Sequence, residues 1–497
     1  LSFEVFEVIE KGELKMLNHL SRQNQFERQR TNLPTGVHVP QSPPSEHVVQ
    51  TPESKLERLS REIPLPRVLQ ICLLQLSTAT LFVLLNSTLN RVMVVELNIS
   101  ATLVGVLIGF HNILAFVRPM IGHYSDTHLR FGLRRTPNII VGNLLAVAGV
   151  VLSVYGALAI ESNFALGIAL LLIAFTLYGV GVNFVGTMFY ALLADSAGEK
   201  HKAKAVTIGW FVLILGTIVA SGFIGKYLEN FSMERLVSLF WLGAGVSVFF
   251  TWLAVFGTEK RFAHELEIVK NEKHALHLGD ALKRLAANQT VYAFFIFMFV
   301  TVVAIQGQDV ILEPFGAELF GMSVSQTTEL TRIWGTGTML GIVTLGLFFV
   351  NRIGKKRTTY LGCFVSALGF LAISFSPMFD VFAFKGGVFL LGIGNGALTV
   401  GTLTIMMDMT TRENAGLFMG LWGMGQAIAN FVANTAGGAI RDIGLWLTQN
   451  PYIGYGLAFG IEVVGLLVAI IILRRIDIQE FQSKTQHTLS SVVSQAD

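Results

Sequence analysis

The stretch Gly122-His123-Tyr124-Ser125-Asp126-Thr127-His128-Leu129-Arg130-Phe131-Gly132-Leu133-Arg134-Arg135 decides the fold, because its ending returns far downstream as Arg352-Ile353-Gly354-Lys355-Lys356-Arg357. Each is a short basic turn between two apolar runs. The first joins runs near 101–120 and 137–158, and the second joins runs near 327–350 and 358–376. A bilayer-spanning helix needs about 20 mostly apolar residues. Working outward by that measure gives six runs, near 68–89, 101–120, 137–158, 164–190, 205–227 and 235–256. A polar stretch, 257–290, follows. Six more runs lie near 291–310, 327–350, 358–376, 383–407, 415–439 and 453–473. Pro119 falls within a run, at its end, where a missing N–H costs least.

Composition agrees. Charged residues make up 14% of the chain and apolar residues 52%, with mean hydropathy +0.59. A soluble domain carries about a quarter charged residues, so lipid is the expected solvent. Cys72 and Cys363, the two cysteines, lie in separate apolar runs and form neither a disulfide framework nor a metal motif. Residues 1–65 are rich in Gln, Asn, Ser and Pro and read as a disordered cytoplasmic tail. The chain begins at Leu1, and Met16 is an alternative start. The expected organisation is a tail (1–65), a six-helix half (66–256), a cytoplasmic loop (257–290), a second half (291–475) and a cytoplasmic tail (476–497).

Orientation follows from the excess of Lys and Arg on cytoplasmic loops. With the N-terminus inside, 20 lie in the cytoplasmic loops and C-terminal tail, against 6 outside. The two halves also echo each other. Gly179-Val180-Gly181 in span 4 matches Gly392-Ile393-Gly394 in span 10, and each precedes an acid, Asp195 and Asp408. An all-α membrane protein with twelve spans in two matched halves has the pattern of the major facilitator superfamily.

The opening stretch resembles that superfamily's G-x-x-x-D-R/K-x-G-R-R/K signature with about three extra residues. Gly122 would let helices approach closely. Asp126 would face a helix N-terminus, and Arg134 and Arg135, beyond Gly132, would meet carboxylates of the opposite half. A plain positive-inside anchor is the alternative. Spans 1, 4, 7 and 10 would line the cavity, and they carry no acid or base away from their ends. Proton symport needs a titratable group within the membrane, so the sequence argues against it and favours an apolar cargo. His111 and Glu462 lie well inside runs. A neutral imidazole can ligate a metal, including the magnesium of a chlorin, or simply bond a neighbouring helix. Glu462, on a helix expected to be peripheral, reads equally as a protonated, helix-bonded carboxyl or as a pigment or partner contact. Gly105 and Gly109 read as close helix packing.

Two further segments are more specific: Leu89-Asn90-Arg91-Val92-Met93-Val94-Val95-Glu96-Leu97, and Gln308-Asp309-Val310-Ile311-Leu312-Glu313-Pro314-Phe315-Gly316. With Ser125-Asp126-Thr127-His128 and Gly420-Leu421-Trp422-Gly423, they make residues 66–475 similar to the bacteriochlorophyll delivery family, of PucC and LhaA type. The resemblance implies non-enzymatic assembly of light-harvesting complexes. The implied partners are antenna apoproteins and the lipid bilayer, with no nucleic acid. Chlorophyll or bacteriochlorophyll would be bound cargo, and no covalent cofactor is implied. The membrane would be the plasma membrane or a photosynthetic internal one. At the outer ends of spans 1 and 7, Arg91 is expected to pair with Asp309 or Glu313, with Asn90 and Glu96 beside them. A small-molecule transporter and a cargo-free antenna scaffold are the competing readings. An enzyme is not expected, since no nucleophile–base pair, phosphate loop or metal spacing appears.

Overall fold

The computed structural model describes residues 65–127, 132–197, 202–259, 289–408 and 415–476. The two tails and most of the central loop lie outside the described residues. Twelve long helical segments stand among those described. They are α1 (Leu65–Glu96), α2 (Ala101–Ile113, Leu114–Val117 and Arg118–Thr127), α3 (Thr136–Ser162), α4 (Phe164–Ala197), α5 (Lys202–Tyr227) and α6 (Met233–Val255). After the central loop come α7 (Gln289–Gln306 and Gln308–Phe320), α8 (Val324–Gly341, Ile342–Phe349 and Val350–Ile353), α9 (Lys355–Phe375), α10 (Val381–Asp408), α11 (Ala415–Thr448) and α12 (Pro451–Arg474).

Nine of these are long and apolar enough to cross a membrane by length and composition; α2, α8 and α11 are not among them. α2 is apolar but interrupted, and counts as a shorter apolar helix over Ala101–Val117. The halves meet where α2 packs on α11 and α5 on α8, and small residues line the first of these seams. Gly105 and Gly109 do provide close packing. A Cβ on Gly105 would sit 2.9 Å from the Asn434 carbonyl carbon, and one on Gly109 3.0 Å from the Phe431 ring. Helices in lipid gain little from burying apolar surface against each other, so such small-residue seams hold them together.

The internal repeat is real in three dimensions. Gly179 abuts His111 of α2, and Gly181 abuts Gly142 and Ala146 of α3. In the second half, Gly392 abuts Trp334 and Thr338 of α8, and Gly394 abuts Ser366 of α9. The paired basic turns match as well. Gly132 has φ +74° and Gly354 φ +88°, a conformation in which a Cβ would strain the backbone.

Three boundaries differ from expectation. α1 continues past residue 89 to Glu96 through two widened, π-helical stretches, Val83–Leu89 and Val92–Glu96. α7 continues past 310, after a break at Gly307, and holds Pro314 in its interior. α11 runs to Thr448 and takes in Arg441 and Asp442. In each case polar residues suggested a loop, and the structure instead gives them partners on other helices.

Candidate functional site

A cavity of about 360 Å³ lies between the halves. Its lining comes from α1 (Gln75, Thr78, Phe82), α2 (His111, Asn112, Arg118), α4 (including Tyr178, Asn183 and Tyr190), α5 (including Trp210), α8 (Trp334, Thr338) and α10 (Asn395, Thr399). Along most of these helices the positions fall between mid-span and the end bearing the basic turns, while His111 and Trp334 lie up to about a turn to the other side of mid-span. α7 contributes none of the lining, and α2, α5 and α8 contribute much of it, so the expected set of lining helices is corrected.

The expectation of an uncharged wall is corrected too. Arg118 reaches the cavity, and its Nε donates to Asn183 Oδ1 at 2.5 Å. Asn183 is held in turn by donating to Gly179 O at 2.7 Å. Arg118 stands beside Pro119, after the 3-10 turn Leu114–Val117. Because proline has no N–H to offer the fourth residue back, the helix tightens and re-aims there. Trp334 also lines the cavity, and its indole N–H is buried without a partner among the described residues.

His111 lies on this wall. Its Nδ1 sits 2.5 Å from Ile108 O, and its ring meets Tyr178 edge-on at 5.2 Å. A carbonyl only accepts, so Nδ1 carries the hydrogen and Nε2 of the neutral ring keeps its lone pair. A backbone carbonyl fixing one ring nitrogen is the usual support for a metal-ligating histidine. Glu462 is elsewhere. It is 5% exposed and occupies the buried stripe Tyr455, Ala458, Phe459, Glu462, Leu466, Ala469 and Leu473, while Ile461, Val464, Val468 and Ile471 form the exposed face. It faces neither lipid nor the cavity.

At the end opposite the basic turns, the halves are latched. Asn90 Nδ2 donates to Asp309 O at 3.0 Å and to Val310 O at 3.1 Å. Val310 is the residue whose carbonyl Pro314 leaves without its helical donor. The Asn90 amide replaces that missing N–H. Arg91 is 5% exposed; it ion-pairs with Glu96 and donates to Met322 O at 3.2 Å. The expected pairing of Arg91 with Asp309 or Glu313 is therefore corrected. Asp309 accepts instead from Gln306 (2.9 Å) and Gln308 (2.7 Å), and Glu313 from Thr331 (3.2 Å). All of these lie within helices, not beyond their ends.

A second latch was missed in the sequence. Asp442 Oδ2 accepts from Thr102 N (2.8 Å) and Oγ1 (2.6 Å), joining α11 to α2. Arg441 holds Asp442 (2.8 Å) and Glu318 (2.5 Å) and lies over the Tyr455 ring. The signal was an Arg-Asp pair inside a run of small residues, read there as the start of a loop.

At the basic end, Arg135 ion-pairs with Asp195 (3.2 Å) and donates to Ser125 (3.0 Å), both of its own half. The expected meeting with carboxylates of the opposite half is not what this pair shows. The acid at a helix N-terminus is Glu259, which accepts from the N–H groups of Arg134, Arg135 and Thr136 at 2.6–2.9 Å, where the helix dipole favours an anion. Among the described residues Gly122 is not a close-packing site, since a Cβ there would meet only Thr187, at 4.0 Å. Asp126 lies in α2, and its side chain falls outside what is described.

A family model described as "PUCC protein" matches residues 88–481. The "Bacteriochlorophyll synthase 44.5 kDa chain" of Rhodobacter capsulatus is 33% identical over 413 residues, 81% of this chain and 93% of that relative. "Protein PucC" of Cereibacter sphaeroides is 32% identical over 394 residues, 77% of this chain and 85% of its own. Among solved structures, a mutant of the nucleoside transporter NupG superposes with a TM-score of 0.65 at 16% identity, over 82% of this chain and 99% of that one. The last likeness establishes the fold alone, that of the major facilitator superfamily.

Proposed function

This chain belongs to the PUCC protein family, and on that premise we propose that it holds a chlorophyll-type pigment for delivery to light-harvesting apoproteins, without chemistry on it. The observation that carries the reading is His111. Its Nδ1 is engaged by a backbone carbonyl on a cavity wall rich in aromatic rings, which leaves Nε2 to coordinate a chlorin magnesium. One relative carries the name "Bacteriochlorophyll synthase 44.5 kDa chain", which supports the reading, and the resemblance in the Asn90 and Asp309 segments points the same way. The basic turns are cytoplasmic in this reading, in the plasma membrane or a photosynthetic internal membrane. The cavity then sits toward the cytoplasm, and the latched end faces away from it.

The test is pigment binding by the purified chain. Wild type, mixed with bacteriochlorophyll or chlorophyll in detergent and repurified, should retain a red absorption band, and His111→Leu should lose most of it. An equal band in both removes His111 from the account.

One pair of observations favours a second reading, transport of a small anionic solute. Arg118 puts a cation on the wall, and 360 Å³ is at the low end of the roughly 300–1,000 Å³ typical of ligand pockets. An esterified pigment with its hydrocarbon tail would not fit wholly inside that space, so the pigment reading places the tail outside the cavity. If Arg118→Gln abolishes uptake of a carboxylate solute while pigment binding is nil in wild type, the second reading replaces the first.

A further inference from the structure

The break in α7 is built around carboxyl groups that the cavity does not use. At Gly307 the helical hydrogen-bond pattern is interrupted for one residue, whose backbone keeps right-handed helical angles (φ −59°, ψ −31°). A Cβ there would meet Glu462 Oε1 at 2.6 Å and Ala433 O of α11 at 3.5 Å, so Glu462 of α12 reaches into the break itself. Both oxygens of Glu462 are buried and without a hydrogen-bond partner among the described residues, and so is Gln308 Oε1 in the first turn after the break. Glu462 and Gln308 are 5% and 3% exposed. The charged group acting on Glu462 through space is Asp309.

The two acids are not equivalent. Asp309 accepts two amide N–H groups, from Gln306 and Gln308, which stabilise a carboxylate. Glu462 accepts none and lies beside that negative charge. A carboxylate placed there would be an unpaired ion in the membrane interior, which is strongly unfavourable. The helices packed on α12 are α7, α9 and α11, and among the described residues none brings it a cation. On α11, Arg441 is committed to Glu318 and Asp442, with its guanidinium over Tyr455, two turns from Glu462 along α12. On α9 the basic residues Lys355, Lys356 and Arg357 lie at the far end, where Lys356 donates to Arg474 O and Ile476 O. On α7, Glu313 is a further acid, bonded to Thr331.

We propose that Glu462, set against Asp309 at the break in α7, is a proton-binding site whose occupancy holds the latch between α1 and α7 shut. The link is short, because the backbone oxygen of Asp309 is itself an acceptor of Asn90 Nδ2. A proton from water converts the Glu462 carboxylate to the neutral acid, and the broken helix then packs against α11 and α12 as observed. When that proton returns to water, two like charges face each other at the break. The second piece of α7 moves away and takes Asp309 O and Val310 O from Asn90. The sequence argued against a proton site because spans 1, 4, 7 and 10 carry no mid-span acid. The carboxyl is instead supplied from α12 across the break. This inference does not depend on what the cavity carries.

The experiment uses the full chain in lipid nanodiscs, without pigment, spin-labelled through Glu161→Cys and Phe379→Cys. These exposed positions lie at the latched end of the first and second halves; Cys72 and Cys363 are fully buried and will not take the label. In wild type the inter-label distance should lengthen as pH rises. Glu462→Gln, a mimic of the protonated acid, should keep the short acid-pH distance throughout. Asp309→Asn removes the like charge that an ionised Glu462 would face, and should shrink the lengthening at alkaline pH. If Glu462→Gln does not fold, that loss of amplitude in Asp309→Asn decides. A wild-type distance independent of pH, a Glu462→Gln titration like that of wild type, or an Asp309→Asn lengthening as large as that of wild type overturns the proposal.

Discussion

The Asn90 side chain stands in for a backbone N–H. Pro314 cannot donate to Val310 O, and the amide from the other half of the molecule does so at 3.1 Å. Two residues far apart in sequence thus act as one hydrogen-bonding unit. Asn90→Leu should cost about 1–3 kcal/mol of stability, the penalty for a buried unsatisfied acceptor. In a Pro314→Ala background, where residue 314 has its own N–H, the same change should cost clearly less. Thermal unfolding of the four proteins checks this, and equal losses in both backgrounds would show that the two residues are independent. The same logic re-pairs Arg91. Arg91→Ala and Glu96→Ala should be non-additive, because they share an ion pair, while Arg91→Ala and Glu313→Ala should add.

At the scale of the element, what holds two helices together is where a Cβ would not fit. Gly105→Ala drives a methyl into the Asn434 backbone, and Gly438→Ala drives one to 2.5 Å from the Ala101 carbonyl carbon. Both should lower the unfolding temperature by several degrees, since backbone cannot swing aside as a flexible side chain can. Gly122→Ala, with nothing among the described residues nearer than 4.0 Å, is the control and should change little. Gly132→Ala should cost about 1–2 kcal/mol for a reason unrelated to packing, its left-handed backbone. A Gly122→Ala loss as large as that of Gly105→Ala would contradict this account.

The same scale shows what was legible in the sequence. Twelve helices followed from apolar runs of the right length, and the halves from the paired glycines. Ends were misjudged where a helix carries polar residues whose partners lie on another helix: Asn90 and Arg91, Asp309 to Pro314, Arg441 and Asp442. A single sequence displays the polarity but not the partner, so each read as a loop. His111 stood out as a lone histidine in an apolar run. Arg118 did not, although it falls inside the run near 101–120. Glu462 was noticed, with its side left open between lipid and a neighbouring helix. Its spacing from Tyr455, Phe459, Leu466 and Ala469 puts it on the buried stripe, and what it meets there is a helix break visible only in three dimensions.

For the whole molecule, two latches close one end and the cavity lies toward the other. Asn90 and Arg91 hold α1 to the second piece of α7 and to Met322, while Asp442 holds α11 to Thr102 of α2. Such an arrangement suits two halves that rock about a central site. Loss of both latches, by Asn90→Leu with Asp442→Asn, should lengthen the distance between labels at 161 and 379 even at acid pH. Either change alone should do less. A double variant with the wild-type distance would mean that the closed end is held by helix packing alone.

The central claim is that His111 presents a free ring nitrogen to a pigment in the cavity. Visible circular dichroism of the purified chain titrated with bacteriochlorophyll measures it most directly, because pigment fixed in a chiral site gains a signal that pigment free in detergent lacks. The account predicts a saturable induced signal in wild type that is lost in His111→Leu and kept in Glu462→Gln. A saturable signal of full size in His111→Leu, or none in wild type, would contradict it.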